Sequence, residues 1–100
     1  MASCLDSLVG EDRIDALRRL GERYGVANIR VFGSFARGDA GPGSDLDLLV
    51  DVDYRPGVAR RLVRFCEEAS WLLGMRVDVV TERALDARLH APILREARPL

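Results

Sequence analysis

The sequence predicts a small α/β domain in which one short sheet is covered by helices, and three observations carry that prediction. Apolar residues recur at helical spacing in two long stretches, 11–24 and 58–73. Between and after them lie short β-branched or alternating runs at 29–32, 46–52 and 75–80. Glycine- or proline-rich breaks punctuate the series, with no internal repeat and no linker. The resulting order is helix, strand, helix, strand, helix, strand, helix, which buries a sheet under helices in two or three layers.

In the first helix, Ile14, Leu17, Leu20 and Tyr24 form the stripe, acids crowd the first turn, and Gly25 stands where a C-terminal cap belongs. The run Ile29-Arg30-Val31-Phe32 ends at Gly33, a strand feeding a tight turn that opens a short helix carrying Ser34 to Arg37. Residues 38–43 are dense in turn formers and form a loop. Beyond it Leu46, Leu48, Val50 and Val52 take the even positions, whereas Asp45, Asp47, Asp51 and Asp53 share the odd face with Leu49 alone. One face is core and the other gathers negative charge. Val58, Leu62, Phe65, Ala69, Leu72 and Leu73 make the second long stripe, closed by Gly74, with Trp71 and Phe65 expected in the core. In the third strand Met75, Val77 and Val79 alternate with Arg76, Asp78 and Val80. A helix over 84–90, ending near His90 and interrupted by Pro92, and a short turn over 93–97 complete the chain.

Length and composition bound the function. One hundred residues, 48% hydrophobic and 31% charged, make one domain over 1–100, with residues 1–10 as a lead-in. A chain this long buries roughly two thirds of its unfolded surface. No run of about 18 apolar residues is present, and the start lacks the basic and apolar regions of a secretory signal. A cytoplasmic protein without a membrane partner is therefore expected. Cys4 and Cys66 lack metal-ligand spacing and are expected to be reduced thiols. The net charge of −1 offers no global basic field, which argues against direct nucleic-acid binding. All fifteen basic residues are arginine, so a P-loop lysine and Schiff-base chemistry are excluded.

The chemistry concentrates in Gly33-Ser34-Phe35-Ala36-Arg37-Gly38, followed by Ser44-Asp45-Leu46-Asp47 and later by Arg76-Val77-Asp78-Val79-Val80-Thr81. Glycine admits a phosphate close to the backbone, and a serine at a helix start adds a hydroxyl beside unpaired amides. Asp45 and Asp47, two residues apart on a strand, point the same way with Cα atoms roughly 6.6 Å apart. Carboxylates so placed suit Mg²⁺, which binds oxygen at about 2.1 Å. Asp78 joins them if its strand pairs with matched faces. Arg37 has two readings, a phosphate contact or an ion pair with Asp39. Asp51 and Asp53, at the far end of the strand without a Gly-Ser turn at the right distance, are expected at a solvated edge. Arg60, Arg61 and Arg64 are expected on a wet helix face.

Gly-Ser, ten residues, then Asp-x-Asp resembles the signature of the DNA polymerase beta-like nucleotidyltransferase superfamily. The fuller pattern over 29–81 is similar to the minimal nucleotidyltransferase antitoxins found beside HEPN-domain ribonuclease toxins. The resemblance implies a polymerase beta-like fold, a small mixed sheet flanked by helices. It implies Mg²⁺ held by Asp45 and Asp47, with Asp78 as third acid preparing the acceptor hydroxyl, and a nucleotide seat at Gly33, Ser34, Arg37 and Ser44. It further implies ATP as substrate, AMP transfer to a tyrosine of a cognate HEPN toxin, and loss of the toxin's RNase activity. Two other functions are expected to compete: a catalytically silent antitoxin that masks its toxin, and a transferase acting on RNA or a small molecule. Larger relatives carry an added domain for such acceptors.

Overall fold

The computed structural model describes residues 10–41 and 43–100, and its centre is a four-stranded mixed sheet in the order β3-β2-β1-β4. The chain runs α1 (Glu11–Tyr24), β1 (Val26–Phe32), α2 (Ser34–Arg37), β2 (Leu46–Val52) and α3 (Val58–Leu73). It ends with β3 (Val77–Thr81), a 3-10 turn (Glu82–Ala84), α4 (Ala87–Glu96) and β4 (Arg98–Pro99). β1 is antiparallel to β2 and to β4, whereas β2 and β3 are parallel across the α3 crossover. The α/β expectation holds. The expected lead-in, Cys4 and Pro42 lie outside the described residues, apart from Gly10, which caps α1.

Alternation in β2 sorts its side chains. Leu46, Leu48 and Val50 are fully buried with Phe65, Leu17 and Ile14 against α1 and α3. Leu49 is just as buried but stands apart from that cluster, on the face of Asp47 where the 3-10 turn packs on β2. The opposite face carries the acids.

Several elements differ from the sequence expectation, each for a local reason. β1 starts at Val26 rather than Ile29, because its register shifts between Ala27 and Arg30. Asn28 sits at φ 49 and its amide donates to Asp51 at 3.0 Å. The extra residue of this bulge brings both Val26 and Ile29 into the core despite their odd spacing. β3 starts at Val77, not Met75, because the Met75 amide is drawn to the Ser70 carbonyl at the end of α3. Trp71 is 86% exposed: about 200° around the helix from Ala69, it points to solvent.

The C-terminal region departs most. α4 begins at an Asp86 cap, whose carboxylate accepts the Arg88 amide at 2.9 Å, and continues through Pro92 to Glu96. His90 is thus mid-helix. The amide that Pro92 lacks would have served the Arg88 carbonyl, which lies on an exposed turn open to solvent. β4, unanticipated from the sequence, pairs Pro99 with Arg30 and Arg98 with Val31 at the sheet's edge, a position proline tolerates.

Arg61 is half-buried rather than on a wet face. Its guanidinium donates to the Tyr24 carbonyl at 3.0 Å and the Asp53 carbonyl at 2.7 Å, tying the end of α1 and the exit of β2 to α3. Arg61→Ala is expected to cost about 1–2 kcal/mol, since water replaces part of each bond, and to lower Tm by roughly 4–15 °C. A thermal melt unchanged from the parent would show that the clamp does not hold these ends.

Candidate active site

Parallel pairing sets Asp47 directly beside Asp78 in the β2–β3 register. Since paired residues of neighbouring strands share a face, both carboxylates stand on the side of the sheet away from α1 and α3. Asp45 lies two residues earlier, at the entry to β2, and is half-buried. Asp47 is half-buried and Asp78 exposed. Among the described residues no three His, Cys, Asp or Glu side chains are drawn into one metal-binding cluster. The acids adjoin as a register pair plus a flanking residue.

The electrostatics centre on Asp47. Its carboxyl is held above the ordinary carboxylate range, first by burial, then by the negative charges of Asp78, Asp45 and Glu96, with Arg37 opposing. An anionic focus of oxygen ligands, poor in local cations, is chemically matched to a hard divalent ion such as Mg²⁺.

The turn after β1 approaches the same point. Gly33 adopts φ 75 and ψ −153, and a Cβ there would stand 2.3 Å from Asp47 Oδ2. The backbone of Gly33 is therefore pressed against the central carboxylate, with no side chain able to intervene. Ser34 opens α2 directly after this turn and is half-buried. The Gly-Ser turn and the Asp-x-Asp strand, ten residues apart in sequence, meet.

Two expected nucleotide contacts have protein partners. Arg37 pairs with Asp39 at 3.2 Å, one of its two readings, and also with Glu96 at 2.8 Å. The Ser44 hydroxyl accepts the Gly41 amide at 2.9 Å, shaping the loop before β2. Asp51 binds Arg30 at 3.0 Å and Asp53 binds Arg55, both at the exposed edge expected for them. Glu96 is the participant that sequence reasoning missed; it reaches the site from the last turn of α4, and no local motif marks it.

On the other side of Asp47 a cavity of about 560 Å³ is lined by Asp47, Asp78, Leu62, Val63, Cys66, Val79 and Val80. Cys66 donates its thiol hydrogen to the Val77 carbonyl, and its pKa is pushed up by burial and by Asp78. Both effects disfavour its thiolate form.

A mixed sheet with a glycine turn against a carboxylate pair defines the class. Residues 14–100 match the family described as a nucleotidyltransferase domain, and the chain belongs to that family of enzymes. Among its relatives, Protein adenylyltransferase MntA of Thermococcus cleftensis is 40% identical over 79 residues, covering 79% of each chain. A provisionally named protein adenylyltransferase of Methanocaldococcus jannaschii is 35% identical, covering 78% of this chain and 74% of its own. A solved structure provisionally assigned as a minimal nucleotidyltransferase superposes with a TM-score of 0.81 at 44% identity, over 96% of this chain and 95% of that one. A toxin–antitoxin structure with AMP-PNP shares the fold, with a TM-score of 0.69 at 23% identity over 89% and 70% of the two chains. Among the described residues, no helix is long and apolar enough to cross a membrane.

Proposed function

We propose that this chain is an adenylyltransferase antitoxin: it moves AMP from ATP to a tyrosine hydroxyl of a cognate HEPN-domain RNase toxin and thereby silences it. The observation that carries the reading is the placement of Gly33 against Asp47, itself in register with Asp78. The relatives named as protein adenylyltransferases and the toxin–antitoxin fold support the same reading.

Asp45 and Asp47 would hold Mg²⁺, with Asp78 as the third acid. The ion supplies neutralisation of charge developing on the transferred phosphoryl group. Gly33 lets the nucleotide's phosphates lie against the backbone, and the Ser34 hydroxyl donates to them. Arg37 exchanges a carboxylate partner for phosphate when nucleotide enters. Asp78, the more exposed acid, takes the proton from the acceptor hydroxyl as its oxygen attacks the α-phosphorus. The bond to the leaving diphosphate breaks in the same displacement.

The test uses this protein, the candidate toxin encoded in a neighbouring reading frame, ATP and Mg²⁺. Intact mass spectrometry is expected to show the toxin gaining whole adenylyl groups, with none gained in EDTA. No gain on the protein, with labelling of free tRNA or an aminoglycoside instead, would replace the acceptor class. Binding without any transfer would favour masking.

A further inference from the structure

We infer that the groove between α1 and α3, on the side of the sheet away from the acids, is the interface through which two copies of this chain form a two-fold dimer. Such a dimer is independent of the transfer chemistry and leaves both acidic faces open.

Trp71, the chain's single tryptophan, stands 86% exposed on α3. Aromatic residues left on a surface concentrate where another protein covers them. The indole borders a cavity of about 390 Å³ with an apolar lining of Ala16 and Leu20 from α1 and Leu72 from α3. Arg19 and Arg23 line the α1 bank, exposed and without an ion pair among the described residues. Glu68 lines the α3 bank, and its Oε2 is buried and accepts no hydrogen bond among the described residues. The neighbouring Tyr24 phenol, whose pKa is raised first by a hydrogen bond to Glu68, leaves that oxygen without a donor. A carboxylate so placed is stabilised by any cation brought to the groove.

Each bank supplies what the other lacks. α1 and α3 run antiparallel, since Arg61 near the start of α3 donates to the Tyr24 carbonyl at the end of α1. Equal rise per residue from that contact sets Glu68 within about one turn of Arg19, and Trp71 within about one turn of Ala16, along the helix axes. A two-fold axis parallel to the helices lays α1 of one copy on α3 of the other without changing height. Arg19 then meets Glu68 of the second copy. Trp71 lands on Ala16, the smallest side chain in the groove, with an arginine beside its ring. Both contacts form twice, as an isologous interface requires. An acidic peptide or a nucleic acid would suit the arginines but bring its charge against Glu68, whereas a second copy satisfies both signs at once.

The test is sedimentation velocity of the full-length protein across micromolar concentrations, with Trp71 fluorescence read on the same samples. A mass of two chains is expected, with a blue shift of the emission over the same concentration range. Trp71→Ala is expected to weaken association at least tenfold, and because that side chain is exposed the variant should melt as the parent does. Arg19→Glu and Glu68→Arg should each be monomeric alone, and mixing the two should restore the dimer, since both ion pairs then form with reversed sign. A parent chain that stays monomeric with water-like emission would overturn the inference. So would a dimer that these substitutions leave intact, or a Trp71 shift that appears only when the toxin is added, which would assign the groove to that partner.

Discussion

Asp47→Asn is expected to lower adenylyl transfer by at least about 10²–10³-fold while making the metal-free protein more stable. The two effects share one cause. Burial and the charges of Asp78, Asp45 and Glu96 raise the Asp47 carboxyl above its unfolded value, so the folded state holds that proton more firmly. Its stabilising contribution is therefore complete below the unfolded pKa and is lost as pH rises through the folded one. At neutral pH the ionised group is a net cost, and a neutral amide of the same shape removes it. A rise in Tm of about 2–5 °C is expected for the variant without metal. Added Mg²⁺ should raise the Tm of the parent chain and leave Asp47→Asn unmoved, because the anionic focus that attracts the ion is weakened.

The same variant separates catalysis from masking. If it loses transfer and no longer protects cells from the toxin, chemistry is the neutralising act. Undiminished transfer would remove Asp47 from the mechanism, and full protection without transfer would make the acids vestigial. The apo melts carry an independent check: a lower Tm for Asp47→Asn would mean that its charge is compensated in the fold, contrary to the electrostatics derived from its neighbours.

The arrangement of the candidate site was legible in the sequence because its geometry is local arithmetic. Two-residue alternation places Asp45 and Asp47 together, and the valines beside Asp78 mark its strand and its face. Pairing β3 parallel to β2 through one helix needs only a connection of ordinary length. Where the sequence misled, the deciding contact was distant or the pattern locally broken. Asn28 adds a residue to β1, so strict alternation fails at the strand's start. Trp71 is large and apolar, yet its angle on α3 outweighs its hydrophobicity. Arg61 looks like any exposed helical cation until the ends of α1 and β2 arrive beside it. Glu96, from the last turn of α4, reaches Arg37 by tertiary packing that no spacing rule contains. The cavity wall is similar: Leu62 and Val63 sit on α3, and only the packing of that helix on β3 brings them beside Asp78 and its chain neighbours Val79 and Val80.

Gly33→Ala is expected to damage the fold and the chemistry together, and the chemistry by more. At φ 75 and ψ −153 the backbone lies in a region essentially reserved for glycine, so any side chain costs about 1–3 kcal/mol. That strain alone predicts a fall in Tm of roughly 4–20 °C. The added Cβ would also stand 2.3 Å from Asp47 Oδ2 and 3.2 Å from its Cγ, so the carboxylate must turn away or the turn must open. Either movement separates the nucleotide seat from the central acid. Gly57 provides the control, since it has φ 88 with open space around its missing side chain. Gly57→Ala incurs backbone strain of about 1–2 kcal/mol without touching the site, and should retain transfer at temperatures where it is folded. With both variants assayed well below their melting points, Gly33→Ala is expected to lose transfer at least about 10²-fold, the scale of misplacing a reacting group by an ångström. Equal activity in the two would mean that the contact between Gly33 and Asp47 is a packing accident, and the nucleotide would have to be seated elsewhere. Selective loss in Gly33→Ala would tie the turn to the acid as one functional unit, because strain without collision had left the other variant working.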